Sequence, residues 1–373
     1  MDAILPDDAR AWLTLNRVPG LGSRTLRRLL HCCPDPDALL SASDARLREF
    51  GVPTPARRAL RRADRTAAAA DLAWLTTPGR GLLTLACADY PAALLATADP
   101  PTLLFLEGQR EALALPGIAV VGSRRPTATG LALARRFAGE LADAGYAIVS
   151  GLAAGIDGAA HAGTLEVGGT TLAVLGNGPD RVYPRSHHGL AHAVAERGLL
   201  LSEYPPGTPP ARHHFPRRNR VIAGLVLGVL VVEAAPRSGS LITARLAAEE
   251  GREVFAVPGS ILNPLAQGCH ALIRDGARLV EGLDDLLEEL PPRAGAECRM
   301  PSRTGTGRQR TERDPADRAL LSQLRAGPMS VDTLVMATSL GAGEVAARLL
   351  ALELGGHVSS DSGGRFSLLP GAE

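Results

Sequence analysis

The stretch that decides the fold is HFPRRNRVIAGLVLGVLVVEAAPRSGSLITA, residues His214–Ala244. It contains an almost unbroken apolar run, Val226–Glu233, of the kind that a parallel strand covered on both faces requires. A turn of small residues, Ser238-Gly239-Ser240, follows and opens a helix. Free N–H groups and the positive end of the helix dipole point outward from such a turn. The stretch therefore predicts an α/β fold with a phosphate-type anion site after a strand.

A basic segment, FPRRNR, comes just before this strand. It carries Arg217, Arg218 and Arg220 around Asn219, and its pattern predicts a loop followed by a short apolar segment, VIAGL. Arginines close to the small-residue turn would raise the local positive potential and favour a bound anion further.

The stretch lies within a longer region, residues 117–290, in which apolar strands alternate with helical patterns such as Gly130–Ala144 and Ser240–Gly251. The alternation predicts a Rossmann-like α/β fold with a doubly wound, mostly parallel sheet, which binds ligands beyond the carboxyl ends of its strands. A proline-punctuated lead-in, 79–117, is predicted to supply one or two more strands. The predicted strands of the domain are Ile118–Val121, Tyr146–Val149, Thr170–Leu175, Leu199–Ser202, Val226–Glu233 and Glu253–Val257. The last is predicted to be an edge strand, which could pair with a second copy of the chain across a two-fold axis.

Smaller domains are predicted on both sides, so that the α/β domain and its lead-in would span 78–290. Residues 1–77 predict a helical domain of helix-hairpin-helix or SAM-like type, in which Val18–Leu30 carries the hairpin. Such a turn can donate N–H groups to a DNA phosphate, and the alternative is a plain connection between packed helices. Residues 291–315 predict a linker because they offer little to bury. Residues 316–373 predict a winged helix, a module for duplex DNA or protein contact.

Composition narrows the possible functions. The chain has 373 residues and a net charge of only +1, so a nucleic-acid surface must come from local clustering. All 40 basic residues are arginine, which excludes a Walker-A lysine and Schiff-base chemistry. The five cysteines show no CxxC pair, which favours a reducing cytoplasm and argues against a zinc site. We expect no signal peptide and no membrane span.

Two glycine-containing turns follow predicted strands. In Ile118–Gly130 the turn is Gly122-Ser123-Arg124, with Arg124 where a phosphate would lie. The turn is not GxGxxG and no ribose-binding acid follows it, so a dinucleotide cofactor is not expected. In Ser150–Gly163, Asp157 and His161 share a helix face, and we interpret them as bracing the turn because no nucleophile or third metal ligand accompanies them.

A third loop, in Val174–Leu190, places Tyr183 between Arg181 and Arg185, and its histidines are interpreted as solvated rather than metal-binding. From Arg181 to Arg220 there are seven arginines and two acids. Because these basic segments follow strands, they should converge on one edge of the sheet, with Tyr183 and Phe215 among them. Arginines with interleaved rings predict a groove for single-stranded nucleic acid.

These motifs, in this order, resemble the DNA-processing protein A (DprA/Smf) family. The resemblance covers essentially all of the Rossmann-like domain and implies a cytoplasmic, non-enzymatic homodimer that binds single-stranded DNA. It also implies that the protein protects incoming strands and loads the RecA recombinase during natural transformation, without metal or cofactor. The motifs that carry it are VGSR, SGLAAGID followed by AH, GxxxxYP, SEYPP, FPRRNRVIAGL, VVEA, SGSLITA, REVFAVPG and LIRDGA.

In that family the Gly-Ser-Arg turn and a basic residue after Tyr-Pro face the DNA. Those positions are Arg124 and Arg185 here, and Arg185 is commonly lysine elsewhere, so the charge is kept and the geometry changes. The resemblance would also place Arg217 and Arg220 on the same groove. The complete predicted DNA-binding set is Gly122, Ser123, Arg124, Arg181, Tyr183, Arg185, Phe215, Arg217, Asn219, Arg220, Ser238, Gly239 and Ser240.

Two alternatives stay open at this point. Related Rossmann-like folds include nucleoside-monophosphate phosphoribohydrolases, whose PGGxGTxxE signature carries a catalytic glutamate. The corresponding region here is SGSLITA, with Thr243 and Arg245 where that glutamate would be sought, which argues against hydrolysis. The weaker alternative is a vestigial pocket that senses a nucleotide.

Overall fold

The structure, a computed structural model, describes residues 8–63, 65–290, 314–338, 340–361 and 363–369. Most of the predicted linker, 291–315, lies outside the described residues. Within the described part, no single helix is long and apolar enough to cross a membrane. One bent pair, Val331–Thr338 with Ala342–Glu353, passes that test together by length and composition.

The N-terminal region is helical, as the sequence predicts. Leu26 and Leu29 lie on one face of its second helix and pack into a small apolar core, while the arginines of that helix are exposed. A second core brings Trp12 and Trp74 against Phe105 and so joins this region to the neighbouring sheet. The helices are α1 (Ala9–Asn16), α2 (Ser23–Cys32), α3 (Pro36–Ser41), α4 (Asp44–Glu49), α5 (Thr54–Arg61) and α6 (Arg65–Leu75).

Nine strands form the main sheet: β1 (Arg80–Thr84), β2 (Leu103–Gly108), β3 (Gly117–Val121), β4 (Ala147–Ser150), β5 (Thr171–Leu175), β6 (Leu199–Ser202), β7 (Val226–Val231), β8 (Glu253–Ala256) and β9 (Arg278–Leu279). Their order is β1-β2-β6-β5-β4-β3-β7-β8-β9. Strands β3 to β9 pair in parallel, and β2 joins β6 antiparallel. The prediction of a Rossmann-like, mostly parallel sheet is confirmed, and the lead-in supplies β1 and β2.

Helices cover both faces of the sheet, and the central strands β3, β5 and β7 are buried and apolar at nearly every position. In β3, Ala119 and Val121 face one core, whereas Ile118 and Val120 face the other. The helices that cover the sheet are α7 (Ala92–Leu95), α8 (Ala128–Asp143), α9 (Ile156–Glu166), α10 (His188–Arg197), α11 (His214–Leu225), α12 (Ser240–Glu249), α13 (Gln267–Arg274) and α14 (Leu283–Leu287).

The strand order reverses between β3 and β7. From β3 the chain proceeds outward through β4, β5 and β6, and then returns to the other side of β3 as β7. Loops that leave the carboxyl ends of two strands at such a reversal diverge and leave a crevice. The Gly-Ser-Arg turn follows β3 and the Ser-Gly-Ser turn follows β7, so the topology brings the two predicted anion sites together.

Two predictions about local structure are wrong. The FPRRNR segment is not a loop but the first part of α11, which runs on through VIAGL. Pro216 suggested a loop, yet it lies in the first helical turn, where its missing N–H costs nothing. Glu253–Val257 was predicted to be an edge strand, but β9 pairs with Phe255 and Ala256 on its outer side.

The C-terminal domain consists of α15 (Pro315–Leu324), β10 (Met329–Ser330), α16 (Val331–Thr338), α17 (Ala342–Leu354), β11 (Val358–Ser360) and β12 (Arg365–Leu368). Its strands form a small antiparallel sheet in the order β10-β12-β11. Leu320, Leu334 and Leu349 form the centre of its core. Three helices with a terminal hairpin confirm the predicted winged helix.

Candidate nucleic-acid interface

An open cleft of about 790 Å³ lies where the strand order reverses. Five arginines and a single acid, Asp157, are among the described residues that line it. Its positive charge therefore comes from side chains contributed by several loops and one helix. The lining residues are Val121, Gly122, Ser123, Arg124, Arg125, Ala153, Asp157, Tyr183, Arg212, Phe215, Pro216, Arg218, Asn219, Ile222, Ala235, Arg237, Ser238, Gly239, Ser240, Ile242 and Thr243.

Glu233 accepts the hydrogen bonds that hold the Gly-Ser-Arg turn in place. The Ser123 N–H donates to the Glu233 carbonyl at 2.6 Å. The Glu233 carboxylate accepts from the Thr127 N–H at 2.9 Å and the Thr127 hydroxyl at 2.7 Å, at the start of α8. A carboxylate there satisfies helix N–H groups and suits the helix dipole. Gly122 is required because an added Cβ would come within 2.8 Å of the Glu233 carbonyl oxygen.

An aromatic and cationic cluster stands over the cleft. The Arg124 guanidinium lies 5.1 Å from the centre of the Phe215 ring. The Phe215 and Tyr183 ring centres are 5.7 Å apart with a 40° tilt. Tyr183 is 45% exposed, so one of its faces is open to solvent. Residues from three separate segments thus combine a guanidinium group with two ring surfaces.

The floor of the cleft contains a buried arginine, Arg218, that donates to the carbonyl oxygens of Gly151 and Val174, at 2.7 Å in the first case. Burial lowers the pKa of Arg218 to about 10, so the guanidinium stays charged at neutral pH. Burial raises the pKa of the Asp157 carboxyl, and the charge of Arg218 opposes that rise. An added Cβ at Gly151 would lie 2.2 Å from the Arg218 guanidinium, so only glycine fits there.

Asp157 and His161 hydrogen bond to different partners, and the predicted turn-bracing role is confirmed for Asp157. The Asp157 carboxylate accepts from the N–H groups of Gly151 and Ala153, at 3.1 and 3.3 Å. His161 is fully buried, and its Nδ1 lies 2.7 Å from the Thr171 hydroxyl. Because that hydroxyl donates to the Ile148 carbonyl, His161 donates through Nδ1. Burial lowers the pKa of His161 to about 3.

The Ser-Gly-Ser turn offers fewer free N–H groups than the sequence suggested. The Ser238 N–H donates to the Ala235 carbonyl at 2.9 Å, and the Ser240 N–H is 3.4 Å from the Ser238 hydroxyl. The two serine hydroxyls are 2.7 Å apart. The Asn219 side chain donates to the Gly239 carbonyl at 3.3 Å and so positions the turn from α11. The groups that this turn offers are therefore hydroxyls more than free N–H groups.

Nine of the thirteen predicted residues line the cleft, and their role in binding DNA stays a prediction. Arg181 and Arg185 are exposed in the Tyr183 loop, outside the lining set. Arg217 and Arg220 are also outside it, because they lie on a different face of α11 from Phe215 and Arg218. Arg220 binds the Glu203 carboxylate and the Asp99 carbonyl instead.

Four lining arginines are absent from the predicted DNA-binding set: Arg125, Arg212, Arg218 and Arg237. Helical spacing could have identified Arg218, since Phe215, Arg218 and Ile222 recur at intervals of three and four. Arg212 precedes α11 in a segment without periodicity, so no sequence signal placed it. Among the described residues no three His, Cys, Asp or Glu side chains are grouped as a metal site would require.

Sequence comparison places this geometry in a family. The family model described as DNA recombination-mediator protein A matches residues 81–291. The Escherichia coli protein Smf is 40% identical over 365 residues, covering 97% of this chain and 96% of that protein. The chain belongs to the DNA recombination-mediator protein A family. DNA processing protein DprA of Streptococcus pneumoniae is 50% identical over 200 residues, which are 54% of this chain and 71% of that protein.

Solved structures and a second family model agree with membership of the DNA recombination-mediator protein A family. The crystal structure of DprA from Streptococcus pneumoniae aligns with a TM-score of 0.69 and 37% identity, covering 76% of this chain and 99% of that one. A structure of the Helicobacter pylori protein, described by its single-stranded DNA binding mode, aligns with a TM-score of 0.51 and 30% identity, covering 56% and 97%. The DprA winged helix domain model matches residues 305–364.

Proposed function

We propose that this recombination mediator binds single-stranded DNA in the cleft without reading its sequence. The observation that carries the proposal is the cluster of Arg124, Phe215 and Tyr183 over a cleft with five arginines and one acid. Arginines contact phosphates, and rings stack with bases of any type. The single-stranded DNA in the description of the Helicobacter pylori relative supports the same ligand.

The test is binding of single-stranded and duplex DNA of equal length across a salt series. We expect tighter binding of the single strand and a steep loss of affinity with salt, because phosphate contacts release counterions. Arg24, Arg27 and Arg28 of α2 are exposed and could contact duplex DNA outside the cleft, so the decisive comparison uses a variant without them. Equal affinity of that variant for both forms, or binding that salt leaves unchanged, would contradict the proposal.

We further propose that the protein protects incoming strands and speeds assembly of a RecA-type recombinase on strands coated by single-strand-binding protein. A mediator of this kind must grip single strands without base readout, which the cleft suits. The test is strand exchange on coated DNA with the full chain and a version ending at Pro291. Both should shorten the lag that precedes strand exchange on the coated DNA. No shortening by either would contradict the mediator role, and activity of the full chain alone would assign the step to the winged helix.

A homodimer is part of the proposal, but its contact is proposed at β9 and not at the predicted edge strand Glu253–Val257. Because β8 is covered by β9, the outer edge available for pairing is β9, where Leu279 is 46% exposed. Symmetric dimers bury a self-complementary patch, and an open edge strand can supply it. Sedimentation of the Leu279→Arg variant should show a monomer at concentrations where the unchanged chain is a dimer. An unaltered dimer would place the contact elsewhere.

We propose no enzymatic activity for the cleft. Asp157, its one lining acid, is committed to two backbone N–H groups, and Thr243 stands where a hydrolase glutamate would be sought. No feature therefore favours the phosphoribohydrolase alternative. Release of base from a nucleoside monophosphate, abolished by Asp157→Asn, would restore it.

A further inference from the structure

Helix α2 carries a concentration of positive charge that the cleft does not account for. Its ten residues, SRTLRRLLHC, include Arg24, Arg27 and Arg28 and no acid. All three arginines are exposed, and the Arg24 side chain is 75% exposed. The apolar residues of α2 face the N-terminal core, so the arginines occupy its outer side. We call Arg24, Arg27 and Arg28 the α2 basic strip.

The α2 basic strip lies next to α11, the helix that forms one wall of the cleft. The Ser23 hydroxyl, at the start of α2, donates to the Asp99 carboxylate at 2.8 Å. Arg220 of α11 donates to the Asp99 carbonyl and also binds Glu203, whose carboxylate is 3.5 Å from Arg217. The start of α2 and the outer face of α11 thus meet at Asp99.

A second observation places Arg27 in the same neighbourhood. Burial raises the pKa of Tyr90, and the positive charges of Arg220 and Arg27 both oppose that rise. Both guanidinium groups therefore act on one hydroxyl. Counting Arg217 and Arg220 with Arg24 and Arg27, four arginines share this junction with two acids, Asp99 and Glu203. The positive surface runs from α11 onto α2.

The chemistry of the α2 basic strip differs from that of the cleft because it has no rings. Apart from the imidazole of His31 at the end of α2, residues 1–63 contain two aromatic side chains, Trp12 and Phe50. Trp12 is buried, and Phe50 is partly buried beneath the Arg46 guanidinium. Single-strand binding uses stacked bases, whereas a duplex keeps its bases inside and presents phosphates. A strip of arginines without rings fits a duplex backbone.

The predicted phosphate contact at the hairpin turn itself does not supply this site. The Asp99 carboxylate already lies at the first residue of α2 and would repel a phosphate there. That turn docks the helical region on the lead-in, which agrees with the packing alternative. The arginines of the outer face are the groups left to contact DNA.

We propose that the α2 basic strip binds the phosphate backbone of duplex DNA that adjoins the single strand held in the cleft. The inference deepens the proposed function and rests on it: the protein would recognise a junction between single-stranded and duplex DNA. Binding at the α2 basic strip is independent of sequence because no side chain there is placed to contact base edges specifically.

The experiment measures fluorescence anisotropy with three DNAs: a single strand, the same strand extended by a duplex arm, and a blunt duplex. The full chain is compared with the Arg24→Gln, Arg27→Gln, Arg28→Gln triple variant. A matched control removes three exposed arginines elsewhere, by Arg135→Gln, Arg197→Gln and Arg274→Gln. Circular dichroism verifies that both variants fold.

We expect the α2 variant to lose about tenfold or more in affinity for the armed strand, a factor that one charge-assisted contact can supply. The slope of log affinity against log salt concentration should become shallower by up to about three units. Affinity for the single strand alone should stay within about twofold, and the control should lose little on any DNA, because its charges lie outside the strip.

Three outcomes would overturn the inference: no benefit of the duplex arm to the unchanged chain, equal losses in variant and control, or an equal loss on the single strand alone. A chain that binds duplex through the α2 basic strip but no single strand would support the strip and contradict the proposed function of the cleft. The single-strand measurement therefore separates the two failures.

Discussion

Arg218 of the cleft and Arg24 of the α2 basic strip carry their positive charges in opposite ways. In the cleft, Arg218 is only 5% exposed and its guanidinium holds backbone carbonyls together, while Arg124 lies on the Phe215 ring. On α2, Arg24 extends into solvent with its side chain 75% exposed. Buried charge must be compensated by the fold, whereas surface charge is nearly free of structural cost. The charge of Arg218 is therefore part of the architecture, whereas the exposed charge of Arg24 contributes little to the fold and is available for binding.

The comparison predicts its largest effect at Arg218. Arg218→Met should lower the free energy of unfolding by about 3–5 kcal/mol, because it leaves the buried Asp157 carboxylate and two carbonyls without their cationic partner. Urea unfolding followed by circular dichroism measures the change. The matched control is Arg217→Met in the same helix, which should stay within about 0.5 kcal/mol. If Arg218→Met lowered the free energy of unfolding as little as Arg217→Met, the buried and the surface arginine would not differ in their contribution to stability.

Much of the cleft could be predicted because its residues follow strands. The apolar runs at Ile118–Val121 and Val226–Glu233 determine where β3 and β7 end, and parallel strands bring their following turns to one edge. Gly122, Arg124 and the Ser238–Ser240 turn were found in this way. The reversal of strand order that opens the cleft depends on long-range pairing, which local periodicity does not encode.

The wall formed by α11 could be predicted only in part. Treated as a loop, FPRRNR offered three equivalent arginines, and the helix separates them. Arg218 joins Phe215 on the cleft face, while Arg217 and Arg220 share the face near Glu203. The burial of Arg218 is a tertiary effect, since it requires the carbonyls of Gly151 and Val174 from distant segments.

The next prediction concerns the rings that distinguish the cleft from the α2 basic strip. Phe215→Ala should weaken single-strand binding by about 1–3 kcal/mol, the value of one stacked base, with little change on blunt duplex. The Phe215→Trp variant keeps a stacking surface and is the control expected to retain most of the affinity. Anisotropy titration measures both. If alanine weakened duplex and single strand equally, the ring would support the arginines rather than contact a base.

Buried polar groups near the cleft also predict a response to pH through His161. Burial holds its folded pKa at about 3, below the value of 6.5 expected when unfolded. The unfolded chain therefore binds a proton first as pH falls, so this contribution to stability is complete above about pH 6.5 and is lost progressively below it. The positive charge of Arg218, and that of His187 whenever its ring is protonated, oppose the protonation of His161 further.

Between pH 7 and pH 5.5 this residue should cost about 1 kcal/mol of unfolding free energy, from the difference between its two pKa values. The measurement is urea unfolding at both pH values for the unchanged chain and for His161→Gln. The variant should lose about 1 kcal/mol less than the unchanged chain. Equal losses would show that His161 is protonated in the folded protein at pH 5.5.

The smallest expected effect concerns the exposed arginines of the α2 basic strip. Replacing Arg24, Arg27 and Arg28 with glutamine should change the free energy of unfolding by less than about 0.5 kcal/mol for each position, because exposed charges contribute little and glutamine keeps a good helix propensity. Arg28 is the most demanding case, since its guanidinium donates to the Gly51 carbonyl at 3.1 Å and connects α2 to the segment before α5. Single variants at Arg24 and Arg28, compared by urea unfolding, measure that contact directly. A cost at Arg28 above about 1.5 kcal/mol, with none at Arg24, would make Arg28 structural like Arg218. The charge available for duplex contact on α2 would then be that of Arg24 and Arg27, and the expected reduction in salt slope would fall to about two units.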